Sequence, residues 1–247
     1  MTIVEDAQPA PPRPWGYVMT LVWTVLSAVL SMAAAFIVVE TLYPGRIAAS
    51  PDLTGDGRLV ALLLIVFTAV QIALLAFVAR LAGWSAADYF ALVRPSGREA
   101  MIALVGLAVF LVGYDVLTYL LGRDIVTPFQ VDTYRSARAE GSLPLLWLSF
   151  VIAAPLGEEI VFRGFLYRGW VRSPRSAWPA IVLISAIWAV MHVQYDWFGI
   201  LQIFLGGLLL GWIRQRSGST ALTFVLHALA NTYATVETVL KVEWLLG

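Results

Sequence analysis

Long apolar runs alternate along the chain with short polar stretches that hold most of the prolines, glycines and charges. Residues 17–39, 59–81, 101–121 and 143–167 each reach the ~20 residues that carry a helix across a hydrocarbon core. Residues 178–193 and 198–213 form shorter runs divided by Gln194-Tyr195-Asp196, and residues 221–240 form the last. Backbone groups in lipid must be paired within a segment or around a closed barrel, and these runs are too long and continuous for barrel strands. The pattern therefore predicts an all-α fold, a polytopic transmembrane helix bundle of about seven spans, with six to eight compatible with the same pattern.

The polar stretches divide the chain. Residues 1–15, with Glu5, Asp6 and several prolines, read as a disordered N-terminal tail. The run after it is too long for a signal-peptide core and lacks a strongly basic start, so it reads as a retained first span. Residues 16–142 read as N-terminal transmembrane helices and loops, and 143–247 as the helix core that carries the chemistry. Within the first part, 43–58 is a loop rich in proline and glycine, 86–93 a short interfacial helix, and 122–142 a polar segment with an amphipathic helix on the surface.

Composition sharpens this picture. The chain has 247 residues, 60% of them hydrophobic and 13% charged, with a mean hydropathy of +0.81. Such values place it among integral membrane proteins, with membrane lipids as its first partners. The net charge is zero and no basic block points to nucleic acid. Without cysteine there is no disulfide, thiolate metal site or cysteine nucleophile. Arginines cluster in the short connections at 80–98, 168–175 and 214–216. The positive-inside rule then puts the N-terminus in the cytoplasm, in what reads as a bacterial inner membrane.

The chemistry concentrates where charge enters the fourth run. Glu158, Glu159 and Arg163 follow directly on apolar residues, and each charge costs roughly 2.5–3.5 kcal/mol at the centre of an inserting helix. Glu159 and Arg163 are four apart and share a helix face, so they read as an ion pair. Glu158 lies about 100° away around the helix, which leaves it without that partner. His192 follows Trp188 by four positions near the end of the fifth run, and His227 and Asn231 are four apart in the seventh. Glutamate can take a proton from water, and histidine and asparagine can stabilise an oxyanion. Residue counting raises one conflict. Glu158 falls in the cytoplasmic half of its span, whereas His192 falls at the far end of its own.

Glu158-Glu159-x-x-x-Arg163, an aromatic-x-x-x-His at Trp188 and His192, and His227-x-x-x-Asn231, in this order on late membrane helices, resemble the CPBP family. These are the CAAX-protease and bacteriocin-processing intramembrane proteases, related to the Ras-converting CAAX endopeptidase. The stretch 204–219, with Gly206, Gly207 and Gly211, is similar to that family as well, and the resemblance spans about residues 143–235. It implies an intramembrane endopeptidase acting on a membrane-associated or lipidated peptide or protein. Glu158 would activate water together with His192, and His227 and Asn231 would hold the oxyanion. Glu159, Arg163 and Trp188 would support them. The family usually carries phenylalanine at the position of Trp188.

The resemblance leaves metal open. Glutamate-activated water without a cofactor is the favoured reading, and zinc held by Glu158, His192 and His227 is the other. Two further functions fit the same runs: a non-catalytic peptide-binding immunity or scaffold protein, and a transporter using Asp115 and Glu158 as a proton path. No inverted repeat or duplicated broken helix supports the transporter. For Asp115 the expectation is a buried polar contact or a water-lined cavity. The glycines of 204–219 are expected to let helices approach closely.

Overall fold

In the computed structural model, which describes residues 12–49 and 55–245, all seven apolar runs are helices and no strand is found among the described residues. The elements are α1 (Tyr17–Leu42), α2 (Gly57–Leu81), α3 (Gly97–Leu120), α4 (Pro128–Ala139), α5 (Leu143–Trp170), α6 (Pro174–Val190), α7 (Trp197–Ser217) and α8 (Thr220–Leu240). The chain is a polytopic helical membrane protein. Residues 1–11 of the expected tail lie outside the described residues. Trp15, at its end, is fastened: its indole donates to Val78 O at 3.1 Å and its carbonyl accepts from Arg172.

By length and composition, α1, α2, α3, α5 and α7 suffice to cross a membrane. The other two of the seven fall short for different reasons. With 17 residues, α6 rises ~26 Å, less than the ~30 Å of a hydrocarbon core. α8 has 21 residues but carries Thr223, His227, Asn231, Thr235, Glu237 and Thr238, which lowers its apolar content. Both line the polar interior described below.

The amphipathic segment is α4, started by a capping box in which Thr127 and Gln130 satisfy each other's backbone donors. The expected helix over 86–93 is only Ala86–Tyr89. The chain then turns back through Ala91 at φ 53°, because its carbonyl takes the Thr220 N–H at 3.0 Å while Val93 O takes the Ser219 hydroxyl. These contacts use the segment to receive the start of α8.

The central helix is α5. Half of its most apolar window is buried in the protein, against 17% for α3. Small residues let its neighbours come close. A Cβ at Gly169 would lie 2.6 Å from Thr20 Cγ2 of α1, and one at Gly157 2.9 Å from Thr68 Oγ1 of α2. On α7, Gly207 and Gly211 face Ser185 and Ile181 of α6, while Gly206 faces Phe110 of α3. One end of the bundle is closed by the connections after α5 and α7 and by residues 82–93. The other is roofed by α4, which packs Ala137 on Ala61 and Leu146. Ion pairs hold that roof: Arg46 to Asp56 and Glu140, Arg58 to Glu140, and Arg138 to Glu243.

Candidate active site

The glutamate pair sits between two wide turns. Residues Leu148–Ala153 and Ile160–Leu166 are π-helical, and Ala154–Glu159 between them is α-helical. Pro155 supplies no N–H and would clash with the carbonyl four residues back in a regular helix. The π turn preceding it gives the extra space. In the second wide turn, Arg163 O accepts from Arg214 Nε at 3.0 Å and Thr220 Oγ1 at 3.2 Å, so side chains complete its bonding. Wide turns of this kind occur often at functional sites.

Glu159 and Arg163 are sealed, at 0% and 1% exposure. Arg163 donates to Glu159 Oε1 at 2.8 Å and to Gly207 O at 3.2 Å, and its guanidinium lies 4.5 Å over the Trp188 ring. Glu159 Oε1 also takes His227 Nδ1 at 3.0 Å. A carboxylate only accepts, so the proton is on Nδ1. The pair therefore does more than neutralise itself, since it fixes the ring of His227 and aims Nε2 at the next carboxylate. That nitrogen lies 3.9 Å from Glu158 Oε2.

Glu158 is the open member, with its side chain 28% exposed. Trp188 Nε1 donates to its Oε2 at 2.6 Å. The Trp188 ring meets His192 edge-on at 5.4 Å and His227 at 5.3 Å, so one indole touches Glu158, Arg163 and both histidines. His192 Nδ1 lies 2.8 Å from Trp188 O. A carbonyl cannot donate, so this nitrogen carries the proton and Nε2 keeps its lone pair. Asn231 stands one turn beyond His227 and donates one amide hydrogen to Phe150 O at 2.8 Å, leaving a second free.

The structure thus joins Glu158, Glu159, Arg163, Trp188, His192 and His227, with Asn231 at the cluster's α4 side. The conflict over depth disappears in the helix bounds: Glu158 lies 12 residues before the end of α5 at Trp170 and Trp188 14 residues after the start of α6 at Pro174, so the two helices bring them to the same level. Glu158 consequently meets the last turn of α6, and His192 follows just beyond it.

Sequence reasoning missed the parts of Gly207 and Tyr195 and gave Trp188 a coarser role than it has. Gly207 contributes its carbonyl, which no residue type announces. Trp188 was read as an aromatic support, while its N–H contacts Glu158; the tryptophan in place of phenylalanine was the available signal. Tyr195, in the connection 191–196, stacks on His192 at 6.3 Å. Burial pushes its phenol up to about 12, and the charge of Glu158 adds to that. Asp115 lies apart from the cluster and accepts from Tyr233 OH at 2.5 Å, a helix-to-helix polar contact on a partly covered face. Among the described residues no group of three or more His, Asp or Glu side chains converges as a metal site; of the three residues named for zinc, Glu158 and His227 approach to 3.9 Å.

Comparison with known proteins bears on the same stretch. Residues 140–233 match the family described as Type II CAAX prenyl endopeptidase Rce1-like. Over 135 residues the chain is 33% identical to an Escherichia coli protein named "Uncharacterized 24.3 kDa protein", covering 52% of this chain and 60% of that one. No solved structure matches. The match to the family bears out the resemblance read from the motifs, over a stretch that includes Glu158, Trp188, His192, His227 and Asn231.

Proposed function

We propose that this protein is an intramembrane endopeptidase that hydrolyses a peptide bond of a membrane-associated or lipidated peptide, with Glu158 as general base. The observation that carries this reading is the contrast between two adjacent carboxylates. Glu159 is sealed, with its Oε1 shared by Arg163 and His227, while Glu158 is reachable and, among the described residues, takes one hydrogen bond, from Trp188.

In the reaction Glu158 takes a proton from a water molecule as that water attacks the substrate carbonyl. The same carboxyl then delivers the proton to the leaving amine, which balances the step. His192 Nε2, bearing a lone pair, orients the water. The oxyanion takes hydrogen bonds from the free amide hydrogen of Asn231 and from His227 Nε2. For His227 this donation comes from the doubly protonated ring, whose Nδ1–H the Glu159 carboxylate accepts. No step runs through a metal. The N-terminus is assigned to the cytoplasm of a bacterial inner membrane on the arginine distribution. The cavity beside Asn231 then opens toward the extracytoplasmic side, beneath α4.

The test is cleavage of a diverse peptide set, farnesylated and unmodified, in liposomes. Wild type, Glu158→Gln and His192→Ala run in parallel, each with and without chelator. Loss of a general base lowers kcat by ~10²–10⁴. Equal cutting by wild type and Glu158→Gln would remove Glu158 from the reaction. Binding without cutting would favour the peptide-binding reading, and loss of activity to chelator would bring metal into the mechanism.

A further inference from the structure

A cavity of about 90 Å³ adjoins the cluster on its α4 side. Two of its walls are neighbours of the proposed chemistry: Asn231 itself, and Tyr195 stacked on His192. The roof is α4, which contributes Gln130 and Tyr134. The ring of Phe129 of α4 packs beside two walls of the cavity, its centroid 5.8 Å from that of Tyr195 and 6.2 Å from that of Phe150. Ala234, Thr235 and Thr238 of α8 form the remaining polar edge.

Two properties of this space are informative. Its polar lining is neutral, made of hydroxyls and amides, and the charges at its rim are already committed. Glu243 binds Tyr134 OH at 2.9 Å and Arg138 at 2.7 Å, and Lys241 binds Asp124 at 2.9 Å. An ionised guest would find no charged group in the lining and would have to leave its water behind. The second property is size. A benzene-sized guest occupies a cavity of ~150 Å³, well above this volume.

We propose that the cavity is the subsite for a substrate side chain flanking the scissile bond, and that it admits small, uncharged side chains such as those of alanine, serine, threonine or valine. This rests on the endopeptidase reading, and it names the substrate class of that same site. Thr235, Thr238 and Gln130 offer hydrogen bonds to a hydroxyl, and Phe150 and Ala234 offer contact to a methyl group. Asn231 joins the subsite to the oxyanion position, so a seated side chain also sets the register of the carbonyl.

The experiment compares full-length wild type, Ala234→Leu and Phe150→Leu in liposomes on peptides varied one position at a time around the cut. Ala234→Leu fills the cavity, and Phe150→Leu enlarges it while leaving the backbone carbonyl that Asn231 uses. The expected result is confined to one substrate position. Ala234→Leu raises KM there for every side chain larger than glycine, by about tenfold per surplus methylene, with kcat on the glycine peptide retained. Phe150→Leu accepts leucine or phenylalanine at that position. Cutting with wild-type preferences by both variants overturns the subsite and leaves the endopeptidase standing. A second arm measures peptide binding to Glu158→Gln with and without Ala234→Leu. If folded wild type cuts nothing, unchanged binding of small-residue peptides in that arm overturns the subsite. Absence of both cutting and binding overturns the subsite and the endopeptidase reading together.

Discussion

Arg163 and Glu159 form a buried ion pair whose energetics can be worked from its surroundings. Replacing Arg163 by Met removes the 2.8 Å contact to Glu159 Oε1, the donor to Gly207 O and the cation over Trp188 in one step. Glu159, at 0% exposure, is then left with the Nδ1–H of His227 as its hydrogen-bond donor. Breaking a buried pair by removing one member typically costs 3–5 kcal/mol, because the other charge stays uncompensated. Glu159→Leu strands the guanidinium in the same way. Replacing both by apolar residues removes the stranded charge, and such exchanges are often neutral or stabilising. The double variant is therefore expected to be more stable than either single one, with a coupling of at least ~2 kcal/mol. Equilibrium unfolding in mixed micelles of wild type, both single variants and the double variant measures it. Independent groups would add within ~0.3–0.5 kcal/mol, and additivity of that kind would refute the argument. The double variant should also be inactive despite its stability, since Glu159 is what holds the His227 ring.

Other variants separate packing from chemistry. Trp188→Phe keeps the ring face but loses the N–H on Glu158, and a hydrogen bond to a charged group contributes ~1.5–3 kcal/mol. The expected outcome is at least about a tenfold fall in kcat, with unfolding stability lowered by no more than that ~1.5–3 kcal/mol. A Cβ at Gly207 would lie 2.9 Å from Ser185 Cβ and 3.1 Å from Trp188 Cε3, whereas one at Gly206 meets nothing closer than Phe110 at 3.5 Å. Gly207→Ala should therefore cost about 1–3 kcal/mol and lower activity, while Gly206→Ala stays near wild type in the same unfolding assay. Tyr195, with a phenol raised from 10.0 to about 12, gives a pH test. Its folded form holds the proton more tightly than the unfolded chain does. The contribution is thus complete below pH about 10 and is lost as pH rises toward 12. Unfolding at pH 8 and 11 should show a smaller decline for Tyr195→Phe than for wild type.

The helices were legible because lipid exposure demands long apolar runs, and each of the seven runs became one. Span capacity was less legible. Thr, His, Asn and Glu on α8 serve the interior, so the helix closest to the chemistry is among the least apolar. In the site, Glu159–Arg163 was readable because a four-residue spacing is local. The third member, His227, is 68 positions from Glu159, and no local rule brings them together. Pro155 inside an apolar run was a visible sign that α5 departs from regular geometry, but where the helix would widen depended on Thr68, Arg214 and Thr220 packed around it. The polar lining of the cavity came from α4 and α8 and from the connection at Tyr195, three segments with no shared motif.

The two wide turns of α5 give this helix an unusual relation to chain length. Whereas a residue removed from Leu148–Ala153 is absorbed as that wide turn tightens, one removed from the regular stretch 154–157 has no wide turn of its own to close and would rotate Glu158 and Glu159 by about 100° against α4 and α2. Glu158 would swing off the indole, and its neighbour would take a different heading, without a single functional side chain having been replaced. For this segment, one-residue insertions and deletions are therefore a more drastic kind of change than substitutions. The site is set by how many residues precede it in the helix as much as by which ones they are.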